Sequence, residues 1–196
     1  MTIVLASGSA IRRKMLQAAG LSFEVDLASV DEDAAKADLR AAGLAPREQA
    51  NALAELKALS VSKQRAGLVI GADQVLALDN ETLDKPKDLE EARSHLQRMR
   101  GRTHELLCAA VVATDGNIVW RCLQTPKLKM HDFSDAFIDA YIARAGDAVL
   151  ASVGAYQLEG LGAQLFERVE GDYFSVLGLP LLPLLAFLRE QEALEQ

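Results

Sequence analysis

A short turn between an apolar run and two arginines constrains this chain most. Residues 3–6 predict a buried strand, and residues 9–19 predict a helix that Gly20 closes in a left-handed cap. The order of strand, turn and helix gathers backbone N–H groups, two hydroxyls, the guanidinium groups of Arg12 and Arg13 and the positive end of a helix dipole. This arrangement suits a phosphate or polyphosphate. The alternative is a Gly-Ser turn followed by solvated arginines.

Composition and charge limit the class of partner. The chain has 196 residues, of which 50% are hydrophobic and 25% charged, as in a soluble globular protein. A net charge of −7 argues against nonspecific binding of nucleic acid, so an anionic substrate would need a local basic pocket. The N-terminus lacks the pattern of a secretory signal, which predicts a cytoplasmic protein. The longest apolar stretch, residues 177–188, contains two prolines and is too short to span a membrane.

Strand and helix signals alternate along the chain and predict a mixed α/β fold. The apolar run of residues 68–78 is interrupted by Asp73 and Gln74, which predicts two strands. Residues 31–43 show no clean period and are interpreted as a loop or irregular helix. The other predicted strands are residues 23–25, 105–113 and 117–123, and the other predicted helices are residues 46–64, 88–99 and a segment capped by Ser134.

The two cysteines lie in the last two of these strands, on either side of an Asp-Gly turn. If Thr114 pairs with Asn117, Cys108 faces Leu123 and not Cys122. This register disfavours a disulfide and predicts two reduced thiols.

Two polar residues interrupt apolar surroundings. Asp73 has apolar neighbours on both sides, and a carboxylate in such a place could act as a general base or as a metal ligand. The alternative is an aspartate that bonds its own turn at a strand end. Lys57 interrupts the apolar stripe of its helix, where lysines commonly extend their ammonium group to solvent.

Two further charged groups are candidates only in combination with the others. Lys85 lies with Pro86 and Lys87 in a loop before a helix and could reach an anion. Asp31 and Glu32 could hold Mg²⁺ or Mn²⁺ through carboxylate oxygens, although most acidic clusters are solvated surface.

The order of these motifs resembles the Maf family of nucleoside triphosphate pyrophosphatases over nearly the whole chain. The motifs that carry the resemblance are Leu-Ala-Ser-x-Ser-x-x-Arg-Arg at residues 5–13, Asp31-Glu32, Leu53-Ala54, Lys57-Ala58, Gly71-Ala72-Asp73-Gln74, Lys85-Pro86, Gly101 with His104, Gly154-Ala155-Tyr156, Glu159-Gly160 and Gly178-Leu179-Pro180. The resemblance implies a mixed curved sheet with flanking helices, related to the inosine triphosphatase fold, and two lobes around a central cleft. It implies one domain over residues 1–196, whose lobes do not fold independently.

The resemblance also implies an activity. Maf proteins of this kind hydrolyse a nucleoside triphosphate between the α and β phosphates, with a divalent metal cation, Mg²⁺ or Mn²⁺, as cofactor. By position, Asp73 resembles the catalytic base and a metal ligand, and Glu32 resembles the acidic metal-site residue. The residues that resemble the family's phosphate-binding groups are Ser7, Ser9, Arg12, Arg13, Lys57 and Lys85.

Three positions distinguish substrate branches within the family, and here they hold Ile11, Gln74 and Glu159. Gln74 and Glu159 resemble the 7-methyl-GTP branch, and a carboxylate suits the N–H donors and the cationic ring of a methylated guanine. Ile11 fits neither branch, and Ser152 stands where the dTTP/UTP branch commonly has a lysine. The expected substrate is 7-methyl-GTP, with dTTP or UTP as the alternative.

Other functions stay open from the sequence. A nucleotide-binding regulator of cell division without turnover is one alternative, and a phosphatase that removes terminal phosphates is another. The expected partner is the nucleotide, with neither nucleic acid nor a membrane. The oligomeric state is open, with a homodimer among the options.

Overall fold

The core of the protein is an open mixed sheet of eight strands, described over residues 1–194 by a computed structural model. The strand order is β2-β1-β3-β5-β7-β8, with β4 paired to β3 and β6 paired to β5. β1 is parallel to β2 and β3, and the other pairs are antiparallel. The strands are β1 Ile3–Leu5, β2 Glu24–Val25, β3 Leu68–Leu78, β4 Glu81–Leu83, β5 Thr103–Thr114, β6 Asn117–Gln124, β7 Lys127–Met130 and β8 Phe166–Glu170.

Helices flank this sheet, which confirms the predicted mixed α/β class. They are α1 Ala10–Ala18, α2 Glu32–Ala41, α3 Pro46–Ser62, α4 Leu89–Met99, α5 Asp135–Ala145, α6 Tyr173–Val176 and α7 Leu181–Glu190. Short 3₁₀ turns, Gly146–Leu150, Val153–Ala155 and Leu161–Leu165, connect α5 to β8. Within residues 1–194, no helix is long and apolar enough to cross a membrane.

The prediction of two strands around Asp73 is wrong, because β3 is one unbroken strand. Asp73 keeps its place in the ladder opposite Ala109 of β5, so its backbone groups are paired like those of its neighbours. Its side chain is buried and bonds to a lysine, which removes the reason to expect a break. An acidic residue therefore lies within a buried strand.

The interpretation of residues 31–43 as a loop or irregular helix is also corrected, since α2 is a regular helix. Asp31 caps it by accepting a hydrogen bond from the backbone N–H of Ala34 at 3.0 Å. Glu32 and Asp33 lie in its first turn and Arg40 in its last, as the helix dipole favours. None of its residues is buried, which explains why no apolar period is visible in the sequence.

The predicted hairpin is present, but its register differs at the cysteines. Thr114 does pair with Asn117, whereas Cys108 pairs with Gln124 and not with Leu123. A register shift between Val112 and Ala113 accounts for the difference of one residue. Both thiols are free, as predicted.

Two large hydrophobic clusters lie along β3 and β5. One packs Leu76 and Leu106 of these strands against α4 and α5, and the other packs Ile70 and Val112 against α1 and α7. Because the same two strands supply both clusters, the structure is consistent with one folding unit, and the single-domain assignment stays a prediction.

Candidate active site

The site lies where β1 ends beside the longer strand β3. β1 pairs with β3 only as far as Leu5 and Ile70, and the chain then leaves the sheet. β3 continues past this point, so Asp73 and Gln74 line an open edge. The carboxyl end of a parallel strand is the usual place for a ligand in sheets of this kind. This topology brings the N-terminal turn and the buried aspartate together.

One cleft with two adjoining halves occupies this place. The inner half has a volume of about 330 Å³ and the outer half about 500 Å³. The inner half alone is lined by Ser7, Arg12, Glu32, Lys36, Lys57, Asp73 and Gly178, the outer half alone by Ala10, Lys14, Leu106, Tyr156, Gln157, Leu158, Glu159 and Val176, and both by Gly8, Ser9, Ile11, Gln74, Lys85, Ala151, Ser152, Val153 and Leu177.

The N-terminal turn holds its arginine in a fixed position. Arg12 is 8% exposed, and its Nε donates to the carbonyl of Gly178 at 2.6 Å. Its Nη1 donates to the carbonyl of Ala72 at 2.8 Å and to Ser7 Oγ at 3.1 Å. Ser9 caps α1 by accepting from the backbone N–H of Arg12. The oxygens that accept from the Arg12 side chain are neutral, so none of them offsets the positive charge that the guanidinium brings to the inner half.

A lysine joins the two acidic residues of the inner half. Lys57 Nζ lies 2.7 Å from Asp73 Oδ1 and 2.8 Å from Glu32 Oε2. Lys57 and Asp73 are 5% and 6% exposed, so the ion pair between them is shielded from solvent. Lys57 therefore does not extend to solvent, which was the alternative for a lysine on an apolar stripe. Its single positive charge lies between two carboxylates and offsets part of their mutual repulsion.

Gly71 allows α3 to pack close enough to β3 for Lys57 to reach Asp73. A Cβ added at Gly71 would lie 2.3 Å from the carbonyl oxygen of Ala54 and 2.6 Å from the backbone nitrogen of Ala58. Only a residue without a side chain lets the helix approach the strand so closely. The close approach places Lys57, one turn along α3, over Asp73, two residues along β3.

Two other ionisable groups respond to the concentration of charge. Partial burial raises the pKa of Glu32, but the hydrogen bond and charge of Lys57, with Lys36 and Arg12, outweigh it and hold the pKa below its usual value. Burial lowers the pKa of Lys85, and the positive charge of Arg12 adds to the effect. Lys85 has no carboxylate partner within 4 Å in the described part of the chain, so it is available to an anion.

The structure brings most of the predicted phosphate and metal residues into one cleft. Ser7, Ser9, Arg12, Glu32, Lys57, Asp73 and Lys85 all line the inner half. Arg13, the second arginine of the pair, is exposed and lines neither half. It projects from α1 one residue after Arg12, about 100° around the helix, which turns it away from the cleft.

The predicted specificity residues lie toward the outer half. Glu159 is exposed and lines the outer half alone, whereas Ile11 and Gln74 line both halves. The side-chain amide of Gln74 donates to the carbonyls of Ser175 and Val176, at 2.9 and 3.1 Å. These bonds fix the side chain at the junction of the two halves.

A buried pair supports the wall of the outer half. Tyr156 lines this half, and its hydroxyl lies 2.7 Å from Nε2 of His104, which is 1% exposed. Burial lowers the pKa of His104 to about 4, so the imidazole is neutral near pH 7. The hydroxyl of Tyr141 donates to the carbonyl of Ala155 at 3.1 Å and holds the adjoining backbone. Two motifs that are distant in the sequence, Gly101 with His104 and Gly154-Ala155-Tyr156, are therefore in contact in the folded chain.

Comparison with known proteins identifies the family of this chain. Residues 2–191 match a protein family described as Maf-like protein. The chain belongs to the Maf family. A relative from Hyphomonas neptunium, named nucleoside triphosphate pyrophosphatase, is 53% identical over 194 residues, which cover 99% of this chain and 98% of the relative. A second of that name, from Caulobacter vibrioides, is 53% identical over 192 residues, with 98% and 96% covered.

Other Maf relatives carry a narrower name. A protein from Brucella abortus, named 7-methyl-GTP pyrophosphatase, is 47% identical over 194 residues, which cover 98% of each chain. The names of these relatives agree on a pyrophosphatase and differ in the nucleotide.

The carboxylates of this Maf protein suit a hard divalent cation. Lys57 takes one oxygen from each of Glu32 and Asp73, and the second oxygens, Oε1 and Oδ2, have no hydrogen-bond partner within residues 1–194. That same range contains no group of three or more His, Cys, Asp or Glu residues that could hold a metal. Mg²⁺ is commonly bound through one or two carboxylates together with waters and substrate phosphates, so two free oxygens fit such an ion.

Sequence reasoning missed Lys36, which lines the inner half from α2. It lies four residues after Glu32, the spacing that places two side chains on one helix face. The acidic N-cap at Asp31 was the available signal, since a helix beginning there puts Lys36 beside Glu32. Lys14 in the outer half was missed as well, because nothing in its helix pattern separates it from a solvated lysine.

Proposed function

We propose that this Maf protein is a metal-dependent nucleoside triphosphate pyrophosphatase, which releases a nucleoside monophosphate and pyrophosphate. One observation carries the proposal: the buried Asp73 and its partner Lys57 lie in the same small cleft as Arg12 and the N-terminus of α1. The names of the relatives support the same activity.

The inner half has the charge to bind the triphosphate. The charge of Lys57 is more than balanced by two carboxylates, but Arg12 and Lys85 have no carboxylate partner within 4 Å in the described residues. The N-terminus of α1 adds backbone N–H groups and a positive dipole. A protein with a net charge of −7 thereby presents a locally basic site, which attracts a polyphosphate.

Asp73 is the proposed general base. Its Oδ1 accepts from Lys57, and Oδ2 is free to accept a proton from a water in the cleft. The resulting hydroxide attacks the α phosphorus in line with the bond to the β phosphate. That bond breaks, and pyrophosphate leaves with its electron pair. Arg12 and Lys85 stabilise negative charge on the phosphate oxygens. A divalent cation held by Glu32 and Asp73 supplies further charge stabilisation when bound.

The outer half is the proposed base site, and 7-methyl-GTP is the proposed substrate. Glu159 lines it without a cationic partner within 4 Å in residues 1–194, and a carboxylate attracts the cationic ring of 7-methylguanine. The relatives named 7-methyl-GTP pyrophosphatase support this assignment, and those with the broader name leave dTTP and UTP as the alternative.

A substrate panel with separate detection of pyrophosphate and phosphate tests the function. We expect pyrophosphate from 7-methyl-GTP in the presence of Mg²⁺ or Mn²⁺, and none after chelation. Phosphate as the sole inorganic product would assign a terminal phosphatase. Nucleotide binding with no product from the common and methylated triphosphates would favour a regulator and overturn the proposal.

A further inference from the structure

Lys36 is a cation of the inner half that has no role in the proposed hydrolysis. It lines the same cavity as Lys57, Asp73 and Arg12, and its side chain is 23% exposed. Its ammonium lies 3.3 Å from Oδ1 of Asp84, the residue that precedes Lys85 in the chain. A lysine at the edge of a phosphate site, held by a carboxylate that does not line the cleft, has two anionic partners within reach.

The bond between Lys36 and Asp84 is easily exchanged. The Asp84 side chain is 44% exposed, and ion pairs at such positions are weak because water screens them. Arg40 also donates to Asp84, at 2.7 Å through Oδ2. When Lys36 leaves, Arg40 continues to neutralise the carboxylate. The loss of one bond therefore does not leave Asp84 without a partner.

The helix that carries Lys36 can accommodate the exchange. No residue of α2 is buried, and its side chains Ala35 and Leu39 pack only partly against α3. Glu32 and Lys36 share one face of the helix, four residues apart, so both face the inner half. A small rotation of this lightly packed helix would turn Lys36 toward a bound anion.

We propose that Lys36 exchanges Asp84 for the pyrophosphate end of the bound substrate. This inference rests on the proposed function, in that it names a further phosphate-binding residue of the same site. Lys36 lines the inner half alone and is absent from the outer half, where the base is proposed to bind. The β and γ phosphates lie farther from the base than the α phosphate does, so we assign the Lys36 ammonium to these two phosphates, which leave as pyrophosphate.

Arg40 provides a matched control, because it bonds the same carboxylate from the next turn of α2 but does not line the cleft. The experiment titrates inorganic pyrophosphate with Mg²⁺ into the wild type, Lys36→Ala, Lys36→Arg and Arg40→Ala by calorimetry. Loss of one charged hydrogen bond to phosphate predicts roughly 10-fold weaker binding in Lys36→Ala. We expect recovery in Lys36→Arg. In Arg40→Ala, Lys36 alone neutralises Asp84, but this exposed ion pair is weak, so binding should weaken by no more than about 2-fold.

Equal weakening in Lys36→Ala and Arg40→Ala would overturn the proposal, because Lys36 would then only hold α2 against Asp84. Unchanged binding in Lys36→Ala would overturn it as well. Binding of the nucleoside monophosphate should be equal in all four proteins, and a loss there in Lys36→Ala contradicts the assigned phosphates. If the wild type binds pyrophosphate but hydrolyses no nucleotide, the proposed function fails and the role of Lys36 is still decided by the variants.

Discussion

The two halves of the cleft are built in different ways. The inner half consists of charged groups fixed by short bonds between regular elements, such as Lys57 of α3 and Asp73 of β3. The irregular segment of residues 151–159 contributes more residues to the lining of the outer half than any other segment does. The charged groups that line this half alone, Lys14 and Glu159, are exposed. Its main support is a neutral pair, His104 and Tyr156.

This difference explains why the reaction class follows from the structure more directly than the nucleotide. Polyphosphate chemistry depends on charges held in position, and a rigid network provides them. Recognition of the base depends on a few contacts from a loop, which can change without disturbing the sheet. A family built this way can keep one reaction and vary its substrates.

The largest expected effect concerns the charge network of the inner half. Lys57→Met leaves two facing carboxylates without their common partner, and we expect a loss of about 3–5 kcal/mol in the free energy of unfolding. Urea unfolding at pH 7 measures it. Lys85→Met is the control, because this lysine lines the same cleft but has no carboxylate partner in the described residues, and its effect on stability should be within about 0.5 kcal/mol.

The neutral support of the outer half should respond to acid. Burial holds the pKa of His104 at about 4, against 6.5 in the unfolded chain, so the unfolded chain binds the proton more readily. The contribution of His104 to stability is therefore complete above pH 6.5 and falls by about 3 kcal/mol as the pH drops to about 4.

The measurement is the free energy of unfolding against pH for the wild type, His104→Asn and Tyr156→Phe. The difference between the wild type and His104→Asn should shrink between pH 6.5 and 4. Tyr156→Phe keeps the buried imidazole and should retain the wild-type slope. His131 is exposed, so His131→Asn is a further control and should keep the wild-type pH dependence of the free energy of unfolding. If His131→Asn had a slope as shallow as that of His104→Asn, the acid sensitivity would not come from His104.

Removal of the proposed base should affect turnover and leave binding intact. Asp73→Asn preserves the shape of the side chain, and we expect at least roughly 100-fold lower kcat for pyrophosphate release, which corresponds to about 3 kcal/mol. Nucleotide affinity should remain, since Arg12 and Lys85 are unchanged. Asp33→Asn, an exposed neighbour of Glu32 outside the cleft, is the control. Turnover near that of the wild type in Asp73→Asn would remove Asp73 from the mechanism.

The smallest effect is expected in the outer half. Glu159 is exposed, so its attraction for a cationic base is worth about 1 kcal/mol. Glu159→Gln should lower the ratio of kcat/KM for 7-methyl-GTP over GTP roughly 5-fold. Glu167→Gln, an exposed carboxylate outside the cleft, should leave the ratio unchanged. If both variants keep the wild-type ratio, the methylated base is recognised by other residues.

Features encoded by neighbouring residues were predictable from the sequence. The caps at Ser9, Asp88 and Ser134 each bond a backbone N–H three residues ahead, which is a local pattern. The turn at Asp115 and Gly116 is equally local, with positive φ at both residues.

Features that depend on distant partners were not predictable in the same way. Asp73 stays inside a strand because Lys57, sixteen residues earlier, neutralises it. The pairing of Cys108 with Gln124 depends on a bulge that no single residue signals. Local pattern made Arg12, Asp73 and Lys85 candidates, the family resemblance supplied their roles, and their convergence in one cleft required the sheet.

The absence of buried side chains in α2 has a consequence for how this protein can change. A helix that adds little to the hydrophobic core can be altered at most positions without threatening the fold. Yet α2 carries Glu32 and Lys36, two groups that line the inner half of the cleft. Natural variation or laboratory selection could therefore adjust metal and polyphosphate affinity along this one segment at little cost in stability.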